Sequence, residues 1–246
     1  MFDKKIERFV ILSAPRSGSN MLCTMLQSHP DILCHHEIFN PNGLFYALPL
    51  RGGEFSVAND IRHRDSHPLS CLERIWQSDL GHKAVGFKMT HCQNQTVFSR
   101  LLHDSSIKKI ILERRNQLKV HVSKLLAEQS GVWENYGGLP PQTRCQVKVD
   151  IQQLQTDIAL NKSYYQHIRD TLHTSGQEWC EVEYEAINTS SQQRIVLEFL
   201  NMSQAPLVAQ SRKQTPRDLS EVIANYQELL SSNEPALRSQ LTSLDG

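Results

Sequence analysis

The chain has 246 residues, 39% of them apolar, and its 26 lysines and arginines balance 26 aspartates and glutamates to a formal net charge of zero. That length suits a single α/β domain with a sizeable core. The neutral balance argues against general nucleic-acid binding, which takes a net basic surface.

Phe9-Val10-Ile11-Leu12 is a short apolar run of the buried-strand type. The breaker cluster Ser13–Ser19 follows at once, and Asn20–Gln27 then reads as a helix that Pro30 ends. Ala84–Met89, Ile107–Leu112 and Trp179–Tyr184 are further strand candidates. Helical spacing appears over 116–129, from Val147 to Leu172 with Asn161 interrupting, over 190–200 and over 217–231. Strands alternating with helices predict an α/β fold, a P-loop-like three-layer sandwich whose central parallel sheet is covered by helices on both faces. One domain over residues 1–246 is expected. Residues 40–70 and 130–144 break the rhythm with Gly, Pro, His and Arg, and are read as lids or binding loops.

Six cysteines, at 23, 34, 71, 92, 145 and 180, include no C-x-x-C pair. Reduced, mostly buried thiols are therefore expected, with neither a disulfide framework nor a zinc site. The apolar run after Met1–Arg8 is too short for a signal sequence, and nothing approaches the ~18 apolar residues of a membrane span. A cytoplasmic protein without an integral membrane segment is the expectation. Oligomeric state is left open.

The turn Pro15-Arg16-Ser17-Gly18-Ser19-Asn20 joins the first strand to a helix start. Such turns converge backbone N–H groups and a helix N-terminus on an anion. Arg16 adds a fixed cation, and Ser17, Ser19 and Asn20 add short polar groups that equally suit an ordinary helix cap. A nucleoside-triphosphate P-loop needs G-x-x-x-x-G-K-[ST]. This loop has one Gly and no following Lys, which disfavours a kinase or ATPase.

With these residues in view, the sequence resembles the sulfotransferase family, which carries P-[KR]-[ST]-G-[ST] at the loop that holds the donor's 5′-phosphosulfate. The family's second motif pairs an Arg after a later strand with a Ser eight residues on, and Arg115 and Ser123 match it. The sequence departs at Gln117, where the family often has Pro. Cys180–Glu185 with Phe199-Leu200, Gly86-Phe87-Lys88, His29–Ile32 and Arg212–Arg217 are similar to bacterial carbohydrate- and lipopolysaccharide-type members, the trehalose-sulfotransferase-like branch. The likeness spans roughly residues 8–230.

The resemblance implies 3′-phosphoadenosine 5′-phosphosulfate (PAPS) as cosubstrate, the bisphosphate PAP as product, and no metal. It implies a small-molecule or glycolipid acceptor offering a hydroxyl. Arg16 would stabilise the transferring group, with Ser17, Gly18, Ser19 and Asn20 around it. Arg115 and Ser123 would read the 3′-phosphate, and Arg212 and Lys213 would lie over the nucleotide. Two residues compete for the base. Glu37 resembles the acid of trehalose-type enzymes, and His91 resembles the Thr-His of phenol- and steroid-type ones. An inactive nucleotide-binding module and a nucleotide kinase are the competing expectations. The basic loop with Arg51, Arg62, His63, Arg64 and His67 is read as a possible acceptor contact, and Trp133 as a stacking platform or a loop anchor.

Overall fold

A computed structural model of the chain describes residues 6–137, 145–211, 216, 218–232 and 235–242. Its centre is a parallel five-stranded sheet. The strands are β1 (Glu7–Ser13), β2 (Ile32–His35), β3 (Ala84–Thr90), β4 (Ile107–Glu113) and β5 (Trp179–Glu183), in the order β2-β3-β1-β4-β5. The chain leaves β1 for the β2 edge, returns through β3, then crosses to β4 on the other side of β1. The strand order therefore reverses around β1, and the crevice beyond its C-terminal end is where open α/β sheets bind ligands.

Helices cover both faces, as the alternation predicts. One face buries Val10, Leu12, Leu33, Val85, Phe87 and Ile111 against α3 (Pro68–Gln77), α4 (Gln95–His103) and α6 (Ile151–Thr174). The other buries Phe9, Ile11, Ile32, Ile110 and Val182 against α1 (Ser19–Gln27) and α7 (Ser190–Phe199). Period-two alternation sends neighbours on β1 to opposite faces, so both sides of the strand are core. Gly86 sits across from Phe9 in the register, and a β-carbon there would overlap the Phe9 ring. A third cluster joins α5 (Gln117–Ser130) to α8 (Tyr226–Leu230) and α9 (Pro235–Thr242) through Leu118, Val122, Leu229, Leu237 and Leu241.

Several elements differ from the sequence reading. Ile32–His35 is a strand, wholly buried at the sheet edge beside β3. The stretch 40–70 is only partly loop: α2 (Ile61–Ser66) starts on Asp60, whose side chain accepts from His63 N–H at 2.7 Å. Pro68 then opens α3, where its missing N–H costs nothing. Asn161 does not interrupt α6, which runs 24 residues, about 36 Å. Val147 lies outside that helix and bridges Ile223. The expected helix over 217–231 is a 3-10 turn at Leu219–Glu221 followed by α8. Among the described residues no helix is long and apolar enough to cross a membrane.

Candidate active site

The loop after β1 is fixed from beneath by two tyrosines. The Tyr165 hydroxyl, on α6, accepts from Ala14 N–H at 2.8 Å and donates to Leu112 O at 2.8 Å, tying the loop to the end of β4. Burial pushes the Tyr165 phenol up to about 12, so it stays protonated. Gly18 adopts φ +91° as the N-cap of α1, and the Tyr184 ring fills the space where a β-carbon would stand. No side chain caps α1. Met21 N–H donates to the Gly18 carbonyl at 3.0 Å, and a helix start without a side-chain cap is a suitable place for an anion. The loop lines a cleft of about 700 Å³ at the C-terminal edge of the sheet.

Arg16, Gly18, Ser19 and Asn20 line this cleft as the sequence predicts. Ser17 does not: it is buried, and its hydroxyl lies 3.4 Å from the Tyr165 hydroxyl. Arg16 has a left-handed backbone (φ +66°). Its Nε donates to Ser123 Oγ at 3.0 Å and its Nη1 to the Trp133 carbonyl at 2.6 Å. Burial lowers its pKa, Glu37 opposes that, and a guanidinium stays charged in either case.

Glu37 lies just beyond β2 in the same cleft, held by three side chains. Lys88 Nζ meets its Oε1 at 2.6 Å, and the amides of Asn40 and Gln93 donate to its Oε2 at 2.6 and 2.7 Å. Burial alone would raise this carboxyl. The charge and hydrogen bond of Lys88, with the two amides, outweigh burial and hold it below the usual carboxylate range. Lys88 also reaches Ser19 Oγ at 3.4 Å, so one ammonium links the acid to the anion loop.

His91 follows β3 and lines the same cleft beside Cys92 and Gln93. Burial lowers its pKa and a hydrogen bond to Asn161 opposes that shift, leaving a neutral imidazole at pH 7. Its Nδ1 lies 3.3 Å from Cys92 Sγ, and its ring packs edge-on against Tyr164.

The expected 3′-phosphate pair is divided. Ser123, on α5, lines the cleft. Arg115 does not: its side chain is 71% exposed and pairs with Glu183. Arg114 stands in the cleft instead, 6% exposed, with its guanidinium 4.5 Å from the Tyr184 ring centroid. The alternation at the end of β4 explains the choice, since Arg114 continues the inward side and Arg115 the outward one. Arg212 and Lys213 lie outside the described residues.

No protein-family model matches this sequence, and no curated protein sequence matches it either. Among solved structures the chain is similar to a sulfotransferase from Alicyclobacillus acidocaldarius, at 18% identity and TM-score 0.48 over 96% of this chain and 94% of that one. It is similar to the sulfotransferase domain from the curacin biosynthetic pathway, at 16% and 0.43 over 83% and 77%. Mouse sulfotransferase SULT7A1 complexed with PAP matches at 11% and 0.43 over 98% and 78%.

The second half of the cleft is formed by loops. After α5 ends at Gly131 (φ +71°), Trp133, Glu134 and Asn135 line it. Glu134 there accepts from Arg51 at 2.7 and 3.4 Å, and the Tyr136 hydroxyl lies 3.2 Å from His36 Nδ1. Arg51 therefore ties two loops together and is no open acceptor contact. Arg64 is buried and its side chain points away from solvent. Trp133 is half-exposed and lines the cleft while its carbonyl holds Arg16, so it both anchors the loop and presents a ring.

Lys88, Asn40, Gln93 and Arg114 were not singled out from sequence as site residues. A signal existed for Lys88. It interrupts an apolar strand that is buried along its whole length, and a lysine buried to 3% exposure requires a partner.

Proposed function

We propose that this chain is a sulfotransferase that moves a sulfuryl group from PAPS to a hydroxyl of a carbohydrate or glycolipid acceptor, leaving PAP. The observation that carries this reading is the convergence of Arg16, Lys88 and Glu37 on one uncapped helix N-terminus at the switch point of the sheet. An anion site and a carboxylate joined by a shared ammonium suit a transfer in which negative charge builds on the donor while a proton leaves the acceptor.

In this reading the N–H groups of the first turn of α1 and Arg16 hold the phosphosulfate end. Sulfuryl transfer resembles phosphoryl transfer, an in-line displacement with little covalent work for the protein beyond positioning and charge stabilisation. Arg16 stabilises the charge gathering on the equatorial and bridging oxygens. Lys88 moves its hydrogen bonding from Glu37 toward the sulfuryl oxygens, which frees one carboxylate oxygen to take the hydroxyl proton. We assign the base to Glu37 because it shares Lys88 with the anion loop, whereas His91 hydrogen-bonds Asn161 and contacts Cys92. Ser123 and Arg114 take the 3′-phosphate, and Arg115 would join them only by leaving Glu183.

The acceptor class is supported by the cleft wall. Asn40, Asn42, Gln93 and Asn135 offer amides, and Phe45 and Trp133 offer rings. Amide donors and acceptors beside flat apolar faces suit a polyhydroxylated ring.

The test is to incubate the full chain with radiolabelled PAPS and a panel of neutral sugars, acidic sugars and glycolipids, scoring labelled products. Sulfated carbohydrate is the expected result. Tight binding of PAP with transfer to no hydroxyl and no sulfate release would reduce the protein to a nucleotide-binding module.

A further inference from the structure

We propose that Arg64 is a positioning residue for the acceptor half of the cleft: from within the core it fixes the Ile38–Gly43 loop, and with it the Glu37–Asn40 pair. This rests on the reading above that Glu37 takes the acceptor proton.

Arg64 is 1% exposed, one of the largest fully buried side chains of the molecule. A single terminal nitrogen, Nη1, donates to the carbonyls of Ile38, Asn40 and Gly43 at 2.8, 2.7 and 3.0 Å. Its Nε donates to Asp65 Oδ1 at 2.8 Å. Burying a guanidinium is costly unless its donors are met, and here the two N–H groups of Nη1 are shared among three backbone oxygens while Nε–H goes to Asp65. The helix that carries it, α2, is six residues long and buries no other residue. Within α2, core packing is therefore the work of Arg64 alone, and its target is the loop.

That loop is wired to the site. Asn40 N–H and Phe45 N–H both donate to the Glu37 carbonyl, at 3.3 Å each. The Asn40 carbonyl takes Gly43 N–H at 3.2 Å as well as Arg64, which fixes the peptide next to the Asn40 side chain. From that position the Asn40 amide reaches Glu37 Oε2. Phe45 stacks onto Gly43, where a β-carbon would come within 2.8 Å of its ring, and Phe45 and Asn42 line the cleft wall. Releasing the three carbonyls would loosen the acid's hydrogen bond and the wall together. The anion loop, tied to Tyr165 and Tyr184, shares none of these contacts.

Two full-chain variants separate this role from general packing. Arg64→Met keeps the reach and removes every donor. Arg64→Lys keeps the charge and offers three N–H groups on one nitrogen, which is what three converging carbonyls require. The readouts are hydrogen exchange over 38–45 and over 14–18, the titration of the Glu37 carboxyl by carbon-13 NMR, and PAP affinity by calorimetry. Arg64→Met is expected to speed exchange over 38–45 by tenfold or more and to raise the Glu37 pKa, with PAP affinity within twofold of wild type. Arg64→Lys is expected to restore most of both. Unchanged exchange and titration in Arg64→Met, or loosening that reaches 14–18 with a matching loss of PAP affinity, overturns the proposal. Should Arg64→Met fail to fold, the wild type still decides: the Asn40, Gly43 and Phe45 amides must exchange as slowly as those of α3, and exchange at open-loop rates contradicts the role. None of these readouts needs turnover, so a protein that transfers nothing but keeps a rigid 38–45 loop strikes the proposed function and leaves the loop assignment standing.

Discussion

The two halves of the cleft are built in different ways. The half we assign to the anion is backbone and core: a glycine at positive φ, a helix start without a side-chain cap, and two buried tyrosines, one bonded to the loop and one packed on it. The acceptor half is made of loops that bury Ile38, Phe39, Tyr46, Ala47 and Val57 beneath them, but charge and hydrogen bonds hold the groups at the cleft, through Lys88 on Glu37, Arg51 on Glu134 and Arg64 on three carbonyls. Core-held structure is stiff and resists single changes outside the core. A polar framework instead depends on protonation state and on individual partners. Donor binding should therefore be robust, and acceptor handling should respond to pH and to single substitutions.

The sharpest way to break that contrast is Glu37→Gln. Removing a general base costs about 10²–10⁴ in rate, so turnover should collapse by that factor while PAP affinity measured by calorimetry stays within twofold. A parallel loss of affinity would merge the two halves. His91→Ala is the control and should retain most of the rate.

Acid is the next largest perturbation. Burial holds His35 neutral with a pKa of about 3 and His36 with a pKa of about 2, against an ordinary value near ~6.5. As the pH falls below ~6.5 the unfolded chain binds protons that the fold refuses. Their contribution is therefore complete above that pH and is lost progressively toward pH 3 and below, at about 1.4 kcal/mol per pH unit for each ring. Melting temperature should drop steeply between pH 6.5 and 5, and His35→Phe with His36→Gln should flatten the drop. A wild-type melting temperature that ignores this interval contradicts the burial argument.

A smaller effect separates the neighbouring arginines. Arg114→Ala should weaken PAP about tenfold or more, the scale of a charge-assisted hydrogen bond. Arg115→Ala should change it less than threefold, because that side chain faces Glu183 outside the cleft. The reverse order would show that Arg115 turns inward when nucleotide binds.

The smallest expected change is at the strap. Arg51 and Glu134 are partly exposed, so Glu134→Gln should cost about 1 kcal/mol or less of stability. It should still raise protease sensitivity over 132–137 more than elsewhere.

The anion half was largely legible in the sequence because local rules specify it. An apolar run, a Gly turn and a helix start within 20 residues determine both the loop and its place at a strand end. Ser123, which lines the cleft, was singled out only by its resemblance to the family's Arg-then-Ser spacing. That Arg114 lines the cleft and Arg115 does not was hidden from the sequence, because two adjacent arginines differ only in which side of the strand they continue, and that register depends on the whole sheet. The edge strand β2 and the helices α2 and α3 were missed because four residues carry too little pattern, and the Gly, Pro and His of 40–70 mask helix starts that Asp60 and Pro68 supply. Glu37 was singled out by resemblance; its partner Asn40 is local, but Lys88 and Gln93 come from the end of β3 and the turn after it. Only the fold brings them to one carboxylate.

The central claim, that the cleft holds a phosphosulfate nucleotide, is tested most directly by calorimetric titration of the full chain with PAP and, separately, with ATP plus Mg²⁺. The account requires saturable PAP binding that Arg16→Ala weakens by about 1.5–3 kcal/mol, the range for a hydrogen bond to a charged group, and at least tenfold weaker binding of ATP. Equal or tighter binding of ATP with Mg²⁺, or PAP binding indifferent to Arg16, would contradict it.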